Sequence, residues 1–71
     1  MVNTVLLEKK IDESGYKKKF LASKLGITLQ AFINKIQGKN EFLASEIFIL
    51  SELLKLSEED RTLIFFTKIV E

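Results

Sequence analysis

Lys18-Lys19-Phe20-Leu21-Ala22-Ser23-Lys24-Leu25-Gly26-Ile27-Thr28-Leu29-Gln30-Ala31-Phe32 places a small residue four positions before a glycine and an aromatic ring six positions after it. Each choice has a steric reason. Ala22 suits a point where two helices cross closely, and Gly26 permits a tight turn. Leu21, Leu25, Ile27 and Phe32 supply the apolar surface that holds the two helices together. Apolar and small residues Phe20, Leu21, Ala22 and Leu25 recur at three- and four-residue intervals up to Gly26, which predicts a helix of about nine residues. Thr28 then caps a third helix carrying Phe32, Ile33 and Ile36 and closing at Gly38.

Outward from this pair the same signals repeat. Asn3 caps a first helix over about 4–14, with Val5, Leu6, Leu7 and Ile11 at helical spacing and Ser14-Gly15 as its stop. After the loop from Lys39 to Phe42, Ala44, Ile47, Leu50, Ser51 and Leu54 share one face of a fourth helix over about 43–55, with Ser45, Glu46, Glu52 and Lys55 largely opposite. Ser57 followed by Asp60 resembles a capping box, and Glu58 and Glu59 favour the start of a fifth helix that runs to about Val70. The expected fold is all-α, a compact five-helix bundle formed by residues 1–71 as a single domain.

Composition bounds the function. The 71 residues include no cysteine, no histidine and no proline, and 46% are hydrophobic. Disulfides and thiolate metal sites are therefore excluded, which fits a reducing cytoplasmic setting. The longest apolar runs, Ile47–Leu50 and Leu63–Phe66, are far short of the ~20 residues that cross a bilayer. The first ten residues do not have the pattern of a secretory signal. A net charge of +1 conceals an asymmetry. Residues 1–40 hold eight lysines against Glu8, Asp12 and Glu13, a net of +5, whereas residues 41–71 hold three cations against seven acids, a net of −4. No acid lies between Gly15 and Asn40. Such a one-signed segment fits the footprint of a polyanion, with a solvated lysine face as the plain alternative.

The Ala22, Gly26 and Phe32 arrangement resembles the helix-turn-helix of the lambda-type repressor and Cro family. The downstream Lys35-Ile36-Gln37-Gly38-Lys39-Asn40-Glu41-Phe42 is similar to the loop of its small phage-derived regulators. The resemblance covers about residues 4–67 and implies a lambda repressor-like DNA-binding fold acting in transcription regulation. It departs from the family pattern at one core position of the third helix. Three residues after Phe32 stands Lys35, and Ile36 supplies the contact instead, which implies a slight rotation of that helix.

By this resemblance the start of the third helix enters the major groove of double-stranded DNA and presents Thr28, Leu29, Gln30 and Asn34 to base edges. An amide pairs in a bidentate way with adenine, so Gln30 and Asn34 favour an A·T-containing site. Lys17, Lys18, Lys35, Lys39 and Asn40 are expected on phosphates. Lys17, Lys18 and Lys19 also stand where the helix dipole disfavours cations, a local conflict that a docked phosphate relieves. For Gln30 and Asn34 the alternative is an ordinary solvated helix surface.

Phe48, Ile49 and much of the fifth helix, through Leu63, Ile64, Phe65, Phe66, Ile69 and Val70, are apolar off the main stripe. Either they pack within the monomer or they form a homodimer through the fifth helix. Nothing in the sequence suggests an enzyme, a cofactor, a metal or a small-molecule substrate. The competing function is a protein-interaction module, such as an antirepressor, on the same scaffold.

Overall fold

A computed structural model of the chain describes residues 2–66. It contains five helices and no strand among the described residues: α1 (Thr4–Ser14), α2 (Lys18–Leu25), α3 (Leu29–Ile36), α4 (Ala44–Leu54) and α5 (Glu58–Phe65). Local chemistry sets most of the boundaries. Asn3, Thr28 and Ser57 each accept a hydrogen bond from the backbone N–H three residues on, at 3.0 to 3.1 Å. Each satisfies one of the orphan donors of a helix start, worth about 1 kcal/mol. Gly26 ends α2 with φ +75°, a conformation natural to glycine. Its N–H donates to the Ser23 carbonyl and that of Ile27 to the Ala22 carbonyl, so the chain reverses with both donors paired.

Each helix contributes two residues to one core. Leu7 and Ile11 of α1, Leu21 and Ala22 of α2, Phe32 and Ile36 of α3, Leu50 and Leu54 of α4, and Ile64 and Phe65 of α5 are all buried. Phe42, between α3 and α4, stands edge-on to Phe32 at 6.2 Å and to Phe65 at 5.3 Å, joining α3 to α5 through an aromatic chain. Polar ties reinforce this packing. Asn3 N–H donates to the Ile64 carbonyl at 2.7 Å, and the Thr4 hydroxyl donates to the Ile36 carbonyl at 2.7 Å. Lys10 bridges to Asp60 on α5 at 3.3 Å. That contact and the hydrogen bonds from Ser57 hold the Asp60 carboxyl below its ordinary range.

Several expectations from the sequence change: Val5 and Ala44, read as part of the apolar faces of α1 and α4, are exposed. Phe20, expected in the core stripe of α2, is exposed and stacks on Tyr16; Leu21, Ala22 and Leu25 are the side chains that α2 turns toward the core. Glu46, expected on the solvent side of α4, is 5% exposed, drawn in by partners on α3 and at its own helix start. The fifth helix closes at Phe65; Ile69 and Val70, also assigned to it, lie outside the described residues. No helix among the described residues is long and apolar enough to cross a membrane.

The buried Ser51 hydroxyl has no hydrogen-bond partner among the described residues. Removing it eliminates a desolvated polar group and improves helix propensity. Ser51→Ala is therefore expected to stabilise the fold by about 1 kcal/mol, measured by urea unfolding; a loss of stability would mean that the hydroxyl has a partner in solution.

Candidate nucleic-acid interface

The acid-free segment folds into α2, the Gly26-Ile27-Thr28 link and α3, and α2 packs more extensively against α3 than against any other helix. At the start of α2, Lys17 occupies the cap position, and its side chain makes no hydrogen bond to the helix. The first-turn N–H groups of α2 thus lack the side-chain acceptor that α1, α3 and α5 possess. Lys17 and Lys19 are exposed beside them. An anion placed there meets free N–H dipoles and two ammonium groups together.

Sequence reading missed a second feature of α2. Tyr16 and Phe20 stack with ring centroids 5.0 Å apart, and the Lys24 ammonium lies 5.4 Å from the Phe20 centroid. The ridge is exposed, with the rings 41% and 40% accessible. Phe20 and Lys24, four apart, share one side of the helix, a spacing the sequence shows; Tyr16 precedes α2, and its stacking on Phe20 follows from the path of the chain into the helix.

On α3 the structure brings two of the expected base-contacting residues together. Gln30 Nε2 donates to Asn34 Oδ1 at 3.0 Å. This leaves the Gln30 carbonyl oxygen as an acceptor and the Asn34 amide nitrogen as a donor, the two functions needed opposite adenine N6 and N7. Leu29 is 40% exposed, next to Gln30. Thr28 is exposed and already accepts from Ala31 N–H as the helix cap, which leaves its hydroxyl a donor and one further lone pair toward a ligand. Lys39 and Asn40 are exposed just beyond α3, their N–H groups bound to the Asn34 carbonyl at 2.9 and 3.4 Å. That backbone anchor fixes both residues against the same helix end that carries Asn34.

The other two lysines assigned to phosphates have protein partners. Lys18 bridges to Glu8 of α1 at 2.9 Å, with both side chains more than a third exposed. A surface pair of this kind is worth at most about 1 kcal/mol, so Lys18 can leave it for a phosphate. Lys35 is different. Its ammonium meets Glu46 Oε1 at 2.6 Å, and the side chains are only 13% and 7% exposed. Giving up a pair so shielded leaves Glu46 without its cation, so Lys35 belongs to the packing and not to the open surface. Comparison with known proteins finds no matching family model, no matching curated protein and no matching solved structure.

Glu46 has a second duty. The oxygen that receives Lys35 also accepts from Leu43 N–H at 2.9 Å, closing the start of α4, where Leu43 has no acceptor of its own. Burial pushes the Glu46 carboxyl up, but the hydrogen bonds from Lys35 and Leu43, with the Lys35 charge, outweigh it and hold the group below its ordinary 4.5. A carboxyl depressed in the folded state adds stability above its unfolded pKa and loses it as pH falls through the folded value. Glu46→Gln should therefore cost stability near neutrality and converge on the parent in acid, once the pH has fallen through the lowered folded value. Urea midpoints near neutrality and in acid check this; a deficit that persists in acid would assign the loss to packing.

Proposed function

We propose that this chain is a sequence-specific double-stranded DNA-binding domain of helix-turn-helix type, a small transcriptional regulator resembling the phage Cro and repressor proteins. The observation that carries the reading is that one acid-free stretch of sequence holds both the uncapped, lysine-flanked start of α2 and the Gln30 and Asn34 amide pair of α3. In this reading Lys17, Lys19, Lys39 and Asn40, joined by Lys18 when it leaves Glu8, hold phosphates and set the register. Thr28, Leu29, Gln30 and Asn34 face the bases, with the amide pair favouring adenine. No catalytic step belongs to it. Its setting is the cytoplasm, where the DNA is.

The test is titration of a random duplex with the protein across a salt series. Each phosphate neutralised should steepen the fall of log affinity with log salt by about 0.9. Absence of binding at low salt would sink the proposal.

A homodimer accompanies this reading, because two-fold operators require two recognition helices at a fixed spacing. Phe66, at the end of α5, is 57% exposed and is a candidate contact for it. Phe48, 62% exposed on α4, favours a second reading in which the scaffold binds another protein, as an antirepressor does. Salt-independent capture of a protein partner without DNA binding would support that reading instead.

A further inference from the structure

Lys35 stands at the border of the core face of α3, and the structure supplies the acid that accommodates it. Lys35 crosses from α3 to α4, and its ammonium is enclosed against Glu46, whose own place is fixed by the Leu43 N–H. Buried ion pairs contribute little net stability relative to apolar residues of equal volume, and their best-attested role is to specify one arrangement among several. Around the axis of α3, at about 100° per residue, Lys35 lies about 100° from Asn34 and about 60° from Phe32. It stands between the face that carries the amide pair and the face that enters the core. The apolar contacts of Phe32 and Ile36 are non-directional and tolerate a small roll of the helix; a hydrogen-bonded ion pair does not.

We propose that Glu46 is a positioning residue for α3: by holding the Lys35 ammonium it fixes the rotation of the helix and so sets where Gln30 and Asn34 point. The consequence for DNA rests on the function proposed above. A side-chain tip stands about 5–6 Å from the helix axis, so a roll of about 10° displaces it by about 1 Å. That distance converts a good hydrogen bond to a base edge into none, while flexible lysines on phosphates follow the shift. Loss of the pair therefore reduces discrimination between sites and leaves non-specific affinity in place.

The experiment uses the double variant Lys35→Met with Glu46→Gln, which leaves no unpaired charge and keeps an acceptor for Leu43 N–H, alongside Lys35→Arg, which keeps the ion pair. Residual dipolar couplings of the α3 amides report helix orientation in the free protein. Affinities for a site selected from a random library, and for random duplex, report discrimination. In the double variant α3 should rotate, the ratio of selected to random affinity should fall about tenfold or more, and random-duplex affinity should stay within about twofold. Lys35→Arg should retain both the parent orientation and the parent ratio. An unchanged α3 orientation in the double variant overturns the proposal, as does a rotated helix with an undiminished ratio. If the parent protein binds no duplex at all, the functional reading fails by itself, and the couplings alone then decide whether Glu46 positions α3.

Discussion

Phe32→Ala is expected to remove about 3–5 kcal/mol of stability, a large share of what a domain of this size has. Phe32 is completely buried, and its ring stands edge-on to Phe42, which in turn stands edge-on to Phe65. Truncation opens a cavity in the centre of a core formed by only ten buried apolar residues among those described. It also ends an aromatic contact worth about 0.5–1.5 kcal/mol beyond its area. A chain of 71 residues has a total stability of about 4–11 kcal/mol, and without a cysteine it has no disulfide to restrain the unfolded state. The melting temperature, followed by helical circular dichroism, should fall by about 15 °C or more. Phe32→Leu, which retains most of the volume, should lose far less, at about 1 kcal/mol. A loss below about 1 kcal/mol for Phe32→Ala would mean that α3 is not keyed into the core by this ring.

The helices were legible wherever a local residue sets a boundary. Asn3, Thr28 and Ser57 cap from within their own turn, and Gly15 and Gly26 enter a left-handed conformation that a glycine adopts without strain. The apolar stripe of α4 was legible over its last two turns: Leu50, Ser51 and Leu54 are buried and Ile47 packs against the core, whereas Ala44, expected on the same face, is exposed in the first turn. What escaped was decided by partners distant in sequence. Glu46 reads as a solvated residue until Lys35, eleven positions earlier, is brought beside it by the α3 to α4 loop. Lys35 reads as a phosphate ligand for the complementary reason, since charge alone does not reveal that the cation already has an acid. Phe20 and Leu21 are adjacent and equally apolar, and only the packing of α2 against its neighbours determines which one turns inward. At the candidate interface, composition identified the acid-free segment and residue type identified the amides; the hydrogen bond that couples Gln30 to Asn34 required the helix itself.

The second large effect tests the function. Replacing Lys17, Lys19 and Lys39 together with alanine should weaken binding to random duplex about a thousandfold near 50 mM salt and make its salt dependence shallower by about 2.7 logarithmic units per decade, three phosphates at about 0.9 each. All three side chains are exposed, so the fold should be unaffected, and a melting curve verifies that. Lys9 supplies the control, being exposed on α1 outside the acid-free segment. If binding follows net charge alone, Lys9→Ala should change the slope as much as any one of the three. If it follows a docked phosphate backbone, Lys9→Ala should leave the slope in place, because an exposed charge beyond about 10 Å is screened at ordinary salt. Lys18 discriminates further. Its bridge to Glu8 is weak enough to exchange for a phosphate, so Lys18→Ala should flatten the slope by up to about 0.9, whereas Lys35, enclosed against Glu46, has no ammonium to offer. A triple variant that keeps the parent slope would remove α2 and the α3 end from the binding surface, and the acid-free segment would then be only a solvated face.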